Sequence, residues 1–162
     1  MQDIYLDKDM LRNALPETLK AALKIQDKRT ISTVRLIMAA LKDRDIAARS
    51  KGDSEGIPDD EILQMLQTMV KQRRESINMY QEGGRLDLAE QEAEEITVIE
   101  KFLPKQLSDE EIKNIVDQVI RDIGAENLRD MGNVMGELRK IYSGQMDFGK
   151  AGALVKSRLG TG

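Results

Sequence analysis

Glu90, Glu92, Glu94 and Glu95 crowd one short stretch, and paired carboxylates are the simplest acid–base machinery a chain can carry. Their spacing argues against that use. Successive helical residues point about 100° apart, so Glu94 and Glu95 diverge, while Glu90 and Glu94 form a like-charge pair most simply read as exposed. Ser76 near Lys71 invites a nucleophile reading, but the spacing does not activate serine and a helix surface offers no oxyanion hole. The sequence contains neither histidine nor cysteine. That removes the thiolate nucleophile, the usual zinc ligands and the side chain that shuttles protons most readily near neutral pH. There is no P-loop and no GxGxxG. Gly132, Gly136, Gly144 and Gly149 are scattered through short helical segments and a turn, with no strand to frame a phosphate cradle. Gly132 and Gly136 read instead as places of close helix packing or a tight bend. No cofactor and no metal are expected.

Basic residues offer a second kind of chemistry, attraction for a polyanion. The net charge of -4 conceals a segregation, since residues 10–51 hold 10 basic and 4 acidic side chains and residues 82–126 hold 5 and 13. Residues 127–162 turn basic again, 6 against 3, and Lys71, Arg73 and Arg74 add a cluster. Each phosphate neutralised by Lys or Arg releases condensed counterions, so such patches permit nucleic-acid binding. Helices also carry Lys and Arg as solubilising or ion-paired residues, and a pI near 5.1 is unlike most autonomous nucleic-acid binders. Met65, Met69, Met131, Met135 and Met146 would suit an adaptable groove, but at helical spacing they read as core filling.

The elements that must position these groups are all helical. At 162 residues the chain suits one domain or two small ones, foldable without disulfides or metal. Aromatic residues make up 3% of it and Leu, Ile, Met and Ala are abundant, which favours helix over sheet. Residues 1–9 carry Asp3, Asp7 and Asp9 and no apolar run, so they are expected to be neither a secretory signal nor a membrane span. They read as an extension or an alternative start, and a cytoplasmic setting away from membranes is expected.

Leu11, Leu15, Leu19, Ala22 and Leu23 share one face of a first helix, whose regular part Pro16 is expected to open. Thr30 is the expected N-cap of a second, carrying Val34, Ile37, Met38 and Leu41. Asp59, Asp60 and Glu61 open a third, with Ile62, Met65, Leu66, Met69, Ile77 and Tyr80 inside and Gly83 and Gly84 as its stop. Leu86, Ala89, Ala93, Ile96, Ile99 and Leu103 mark a fourth, with its glutamates mostly on the wet face and Pro104 closing it. Ser108 and Glu111 have capping-box spacing ahead of Ile112, Val116 and Val119, and Gly124 ends this fifth helix. Asp130 and Asp147 are expected to cap two short final helices. The linker LPKQL from Leu103 divides an all-α chain into two helical lobes. These are a four-helix part over residues 1–103 and a three-helix part over 104–162.

Three stretches carry a resemblance: TISTVRLIMAALKDRD from Thr30, the phrases VKQRRES, EGGRLDLAEQE and FLPKQLS from Val70 onward, and Asp130 to Leu159. In order and spacing, over nearly the whole chain, they resemble the GatB/YqeY family. The resemblance implies two helical lobes, the smaller similar to the tail domain of the GatB subunit of tRNA-dependent amidotransferase, which contacts tRNA. That enzyme turns mischarged glutamyl or aspartyl tRNA into its amide with a kinase-like module and an amidase partner, and the resemblance covers neither. Carbon–nitrogen ligase activity with glutamine as amido-N-donor is therefore expected as an inherited association, not an intrinsic activity. Arg139, Lys140, Lys150, Lys156 and Arg158 match the tail's basic helical segment and carry over as RNA contacts, although SGQMDFGK after Tyr142 departs from a more basic turn in many relatives. The expectation is a non-catalytic accessory protein that binds tRNA or another RNA, with an amidotransferase or an aminoacyl-tRNA synthetase as partner. The alternative is a helical protein–protein adaptor without RNA binding.

Overall fold

The computed structural model describes residues 10–160, so the extension expected at residues 1–9 lies outside them. The described residues form α1 (Met10–Ile25), α2 (Lys28–Ser50), α3 (Asp59–Glu82), α4 (Leu86–Glu100), α5 (Asp109–Ile123), α6 (Met131–Tyr142) and α7 (Phe148–Gly160), with a 3-10 turn at Leu128–Asp130. The architecture is all-α. Contacts gather into two compact units that part between Leu103 and Pro104.

In the first unit, α1 begins six residues ahead of Pro16 and runs through it. Proline removes the bond to the carbonyl of Arg12, one bond near a helix end, while Leu11 and Leu15, one turn apart just ahead of it, are buried and hold the turn in place. Asp27, not Thr30, caps α2: its carboxylate accepts from the Thr30 amide at 3.2 Å and from the Thr30 hydroxyl at 2.6 Å. The core gathers Leu15, Val34, Ile37, Ile62, Met65, Leu66 and Ile99, all almost fully enclosed. On α3 the buried set also takes in Leu63 and Val70, because this helix packs on α4 along one side and meets α1 and α2 along another. Gly84, at φ +72°, makes the reversal into α4, and the Arg85 amide then donates to the Tyr80 carbonyl at 2.8 Å.

The second unit shows the clearest local coding. Ser108 and Glu111 form the full capping box of α5, and Gly124, left-handed at φ +75°, ends that helix. Asp147 caps α7, accepting from the amides of Gly149 at 2.8 Å and Lys150 at 3.3 Å. Asp130 makes no side-chain bond to α6; it turns back to the amides of Glu126 and Asn127, and Asn127 caps the 3-10 turn. Val116, Val134, Leu138, Met146, Ala151 and Val155 form the core. Nothing packs where a side chain at Gly132 or Gly136 would begin. The close packing expected there is not found; even at Gly152 of α7 an added Cβ would lie 3.7 Å from the Met135 methyl and 3.8 Å from that of Met131, an ordinary contact. Met65, Met69, Met135 and Met146 are buried, as core filling requires.

Candidate nucleic-acid interface

All five carried-over cations are exposed, two on α6 and three on α7. The burial of Val134, Met135 and Leu138 turns one side of α6 inward, and Lys140 stands about 160° around the axis from Leu138, facing out. Arg139 leans toward the start of α7, its guanidinium carbon 5.9 Å from the centre of the Phe148 ring. On α7, Ala151, Val155 and Leu159 face the core. Lys150 and Arg158 then share a flank, about 80° apart, while Lys156 lies on the other, about 160° from Arg158.

Arg158 is engaged: its Nε donates to the Asp117 carboxylate of α5 at 2.8 Å. Both partners are more than a third exposed, so the pair contributes little stability, yet it sets where the guanidinium points. Among the described residues Lys140, Lys150 and Lys156 form no salt bridge. Residues 104–162 hold nine basic and nine acidic side chains, so the unit has no net charge and attraction must come from local placement. The arrangement is a spread of exposed cations over two helices.

Two polar groupings in the first unit escaped the sequence. Arg12 of α1 donates both guanidinium arms to Asp45 of α2 at 2.7 Å, and one arm also reaches the Ile57 carbonyl at 2.8 Å. The Ile57 amide closes the ring by donating to Asp45 at 3.0 Å. Hydrogen bonds from Arg12 hold the Asp45 carboxyl below the ordinary carboxylate range; partial burial opposes them, and the Ile57 amide and the Arg49 charge add to the lowering. Gly56, at φ +88°, lies so close that a Cβ there would sit 2.7 Å from both Arg12 and Asp45.

The second grouping takes Glu95 off the wet face of α4, on which Glu90 and Glu94 are exposed as expected. Glu95 is only 8% exposed. It accepts from Arg73 of α3 at 2.9 Å and lies 3.8 Å from Arg29 of α2, which also donates to Glu94 at 2.9 Å. Arg73 adds a bond to the Met69 carbonyl at 3.2 Å, so it is not a surface cation beside Lys71 and Arg74. Partial burial, and then the Glu95 charge, push the Glu92 carboxyl up. Glu94 and Glu95 are matched to guanidiniums within a helix junction, which marks a structural network, and among the described residues no group of three or more acidic side chains would hold a metal.

The profile of the family described as "Yqey-like protein" matches residues 12–159. Among curated proteins the chain is 29% identical over 153 residues to "Altered inheritance of mitochondria protein 41, mitochondrial" of Clavispora lusitaniae, covering 92% of this chain and 85% of that one. The protein of the same name from Kluyveromyces lactis is 29% identical over 113 residues, 68% of this chain and 58% of the relative. That of Saccharomyces cerevisiae is 25% identical over 126 residues, 74% and 65%. The chain thus spans less than two thirds of the length of two of these three relatives. Among the described residues no helix is long and apolar enough to cross a membrane.

Proposed function

The chain belongs to the YqeY-like family, matched over residues 12–159, and from that premise we propose that it is a non-catalytic accessory protein whose C-terminal unit binds the phosphate backbone of tRNA or another RNA. The observation that carries this reading is the outward placement of Lys140, Lys150 and Lys156, three cations on α6 and α7 without a salt bridge among the described residues. Arg139 and Arg158 flank them, the first against Phe148 and the second held by Asp117. An amidotransferase or an aminoacyl-tRNA synthetase is the partner that would share the tRNA. The cytoplasmic setting belongs to the same proposal, although the yeast relatives carry mitochondrial in their names.

Filter-binding titration with tRNA at two salt concentrations tests it. Replacing Lys140, Lys150 and Lys156 with glutamine should weaken binding evenly across tRNA species and lower the slope of log affinity against log salt by about 2 to 3, one counterion per lost phosphate contact. Unchanged slopes in the triple variant would reject these residues as the contacts. Purified protein given glutamyl-tRNA, ATP, Mg²⁺ and glutamine should make no amide above a buffer blank. Turnover that survives repeated purification would make the chain an enzyme.

A further inference from the structure

Lys28, Arg35, Lys42 and Arg49 recur every seventh residue along α2, and all four are exposed. Seven residues advance a helix by about 10.5 Å and fall only about 20° short of two full turns. The four cations therefore form one stripe about 32 Å long, on the side of α2 away from Thr33, Val34 and Ile37. None of them makes a salt bridge among the described residues. Asp43 and Asp45 are the acidic residues of this helix, and Asp45 is bound by Arg12. Lys42 and Arg49 also rim an open groove of about 320 Å³ between α1 and α2, over the apolar side chains of Leu15, Met38, Leu41 and Ile46. Ile46 is 53% exposed there.

We propose that this face docks an amphipathic helix of a partner protein carrying one acidic residue per heptad. Two helices lying side by side share the same repeat, so each acid would meet a cation in register, while apolar residues on the adjoining turns enter the groove. Charge complementarity and apolar burial are then satisfied by one ligand. A nucleic-acid backbone fits less well, because its phosphates would meet the cations but have no use for the apolar side chains of Met38 and Ile46 beside them. The inference is independent of the RNA reading, which rests on α6 and α7.

The probe is a synthetic helical peptide of about four heptads with leucines along one seam and one glutamate per heptad beside it. Its fluorescence anisotropy is followed with the whole protein. The peptide is expected to bind, and the double variant Lys42→Glu, Arg49→Glu to bind it about tenfold more weakly with unchanged helical circular dichroism, since two exposed pairs become repulsive. Arg35→Glu alone should show a smaller loss, and the Lys140, Lys150 and Lys156 variant none. A peptide of the same composition with its glutamates scattered around the helix should bind about tenfold more weakly. No binding of the in-register peptide, equal binding of the scattered one, or indifference to the charge reversals would overturn the proposal. Displacement of the peptide by tRNA, with tRNA binding itself abolished by the α2 reversals, would assign the face to RNA and overturn it equally.

Discussion

Replacing Glu95 with leucine should cost about 3 kcal/mol of stability and lower the urea midpoint by about 1 to 2 M. The side chains of Glu95 and Arg73 are 10% and 14% exposed, so removing the carboxylate leaves a largely desolvated guanidinium whose remaining hydrogen bond among the described residues is to the Met69 carbonyl. Arg29 loses a 3.8 Å contact but keeps Glu94, so the damage falls mainly on Arg73. The double variant Glu95→Leu, Arg73→Leu should recover more than half of the loss, since an apolar pair of similar volume often replaces a buried ion pair at little cost. A single-variant loss below about 1 kcal/mol would show that Arg73 reaches water once released.

Replacing Asp45 with alanine should cost about 2 to 3 kcal/mol at neutral pH, because two guanidinium bonds and the Ile57 amide lose their acceptor together. The loss should depend on pH in one direction. Asp45 has a folded-state value lowered below its unfolded one, so its stabilisation is fully present above the unfolded value, near pH 4, and disappears as pH falls through the lower folded value. Denaturant midpoints of wild type and Asp45→Asn, measured at neutral pH and again below pH 4, should therefore converge in acid. A constant gap would mean that shape, and not charge, makes this contact. Gly56→Ala offers a separate check: it should weaken the same ring with every charge still present, since a left-handed backbone and a 2.7 Å approach both exclude a Cβ.

Local chemistry was legible in the sequence and distant chemistry was not. Ser108 and Glu111 lie three residues apart and form their box as written, and Gly83 with Gly84 stops α3 as written. Asp27 and Thr30 are both capping residues and bond to one another, so composition alone could not say which stands outside α2. Ahead of α6 the expected cap, Asp130, likewise bonds back to Asn127, which caps the 3-10 turn instead. Glu95 looked like its wet neighbours because Arg73 is 22 residues away, and the Arg29 that holds Glu94 is 65 away. Nothing in a period of 3.6 marks such a pairing. At the candidate interface the cations could be found by charge, but Asp117, which holds Arg158, lies 41 residues earlier on another helix.

The shortfall of about 20° per heptad along α2 has a geometric consequence for anything that binds its cations. From Lys28 to Arg49 the stripe drifts by about 60° around the axis, always in the same sense, so a rigid straight rod laid over one end would lose the other. A ligand that keeps all four must itself wind, and for right-handed α-helices following a seven-residue repeat that winding is left-handed. The surface therefore selects by chirality as well as by charge: superhelical sense is an attribute the bound segment would have to match over its whole length.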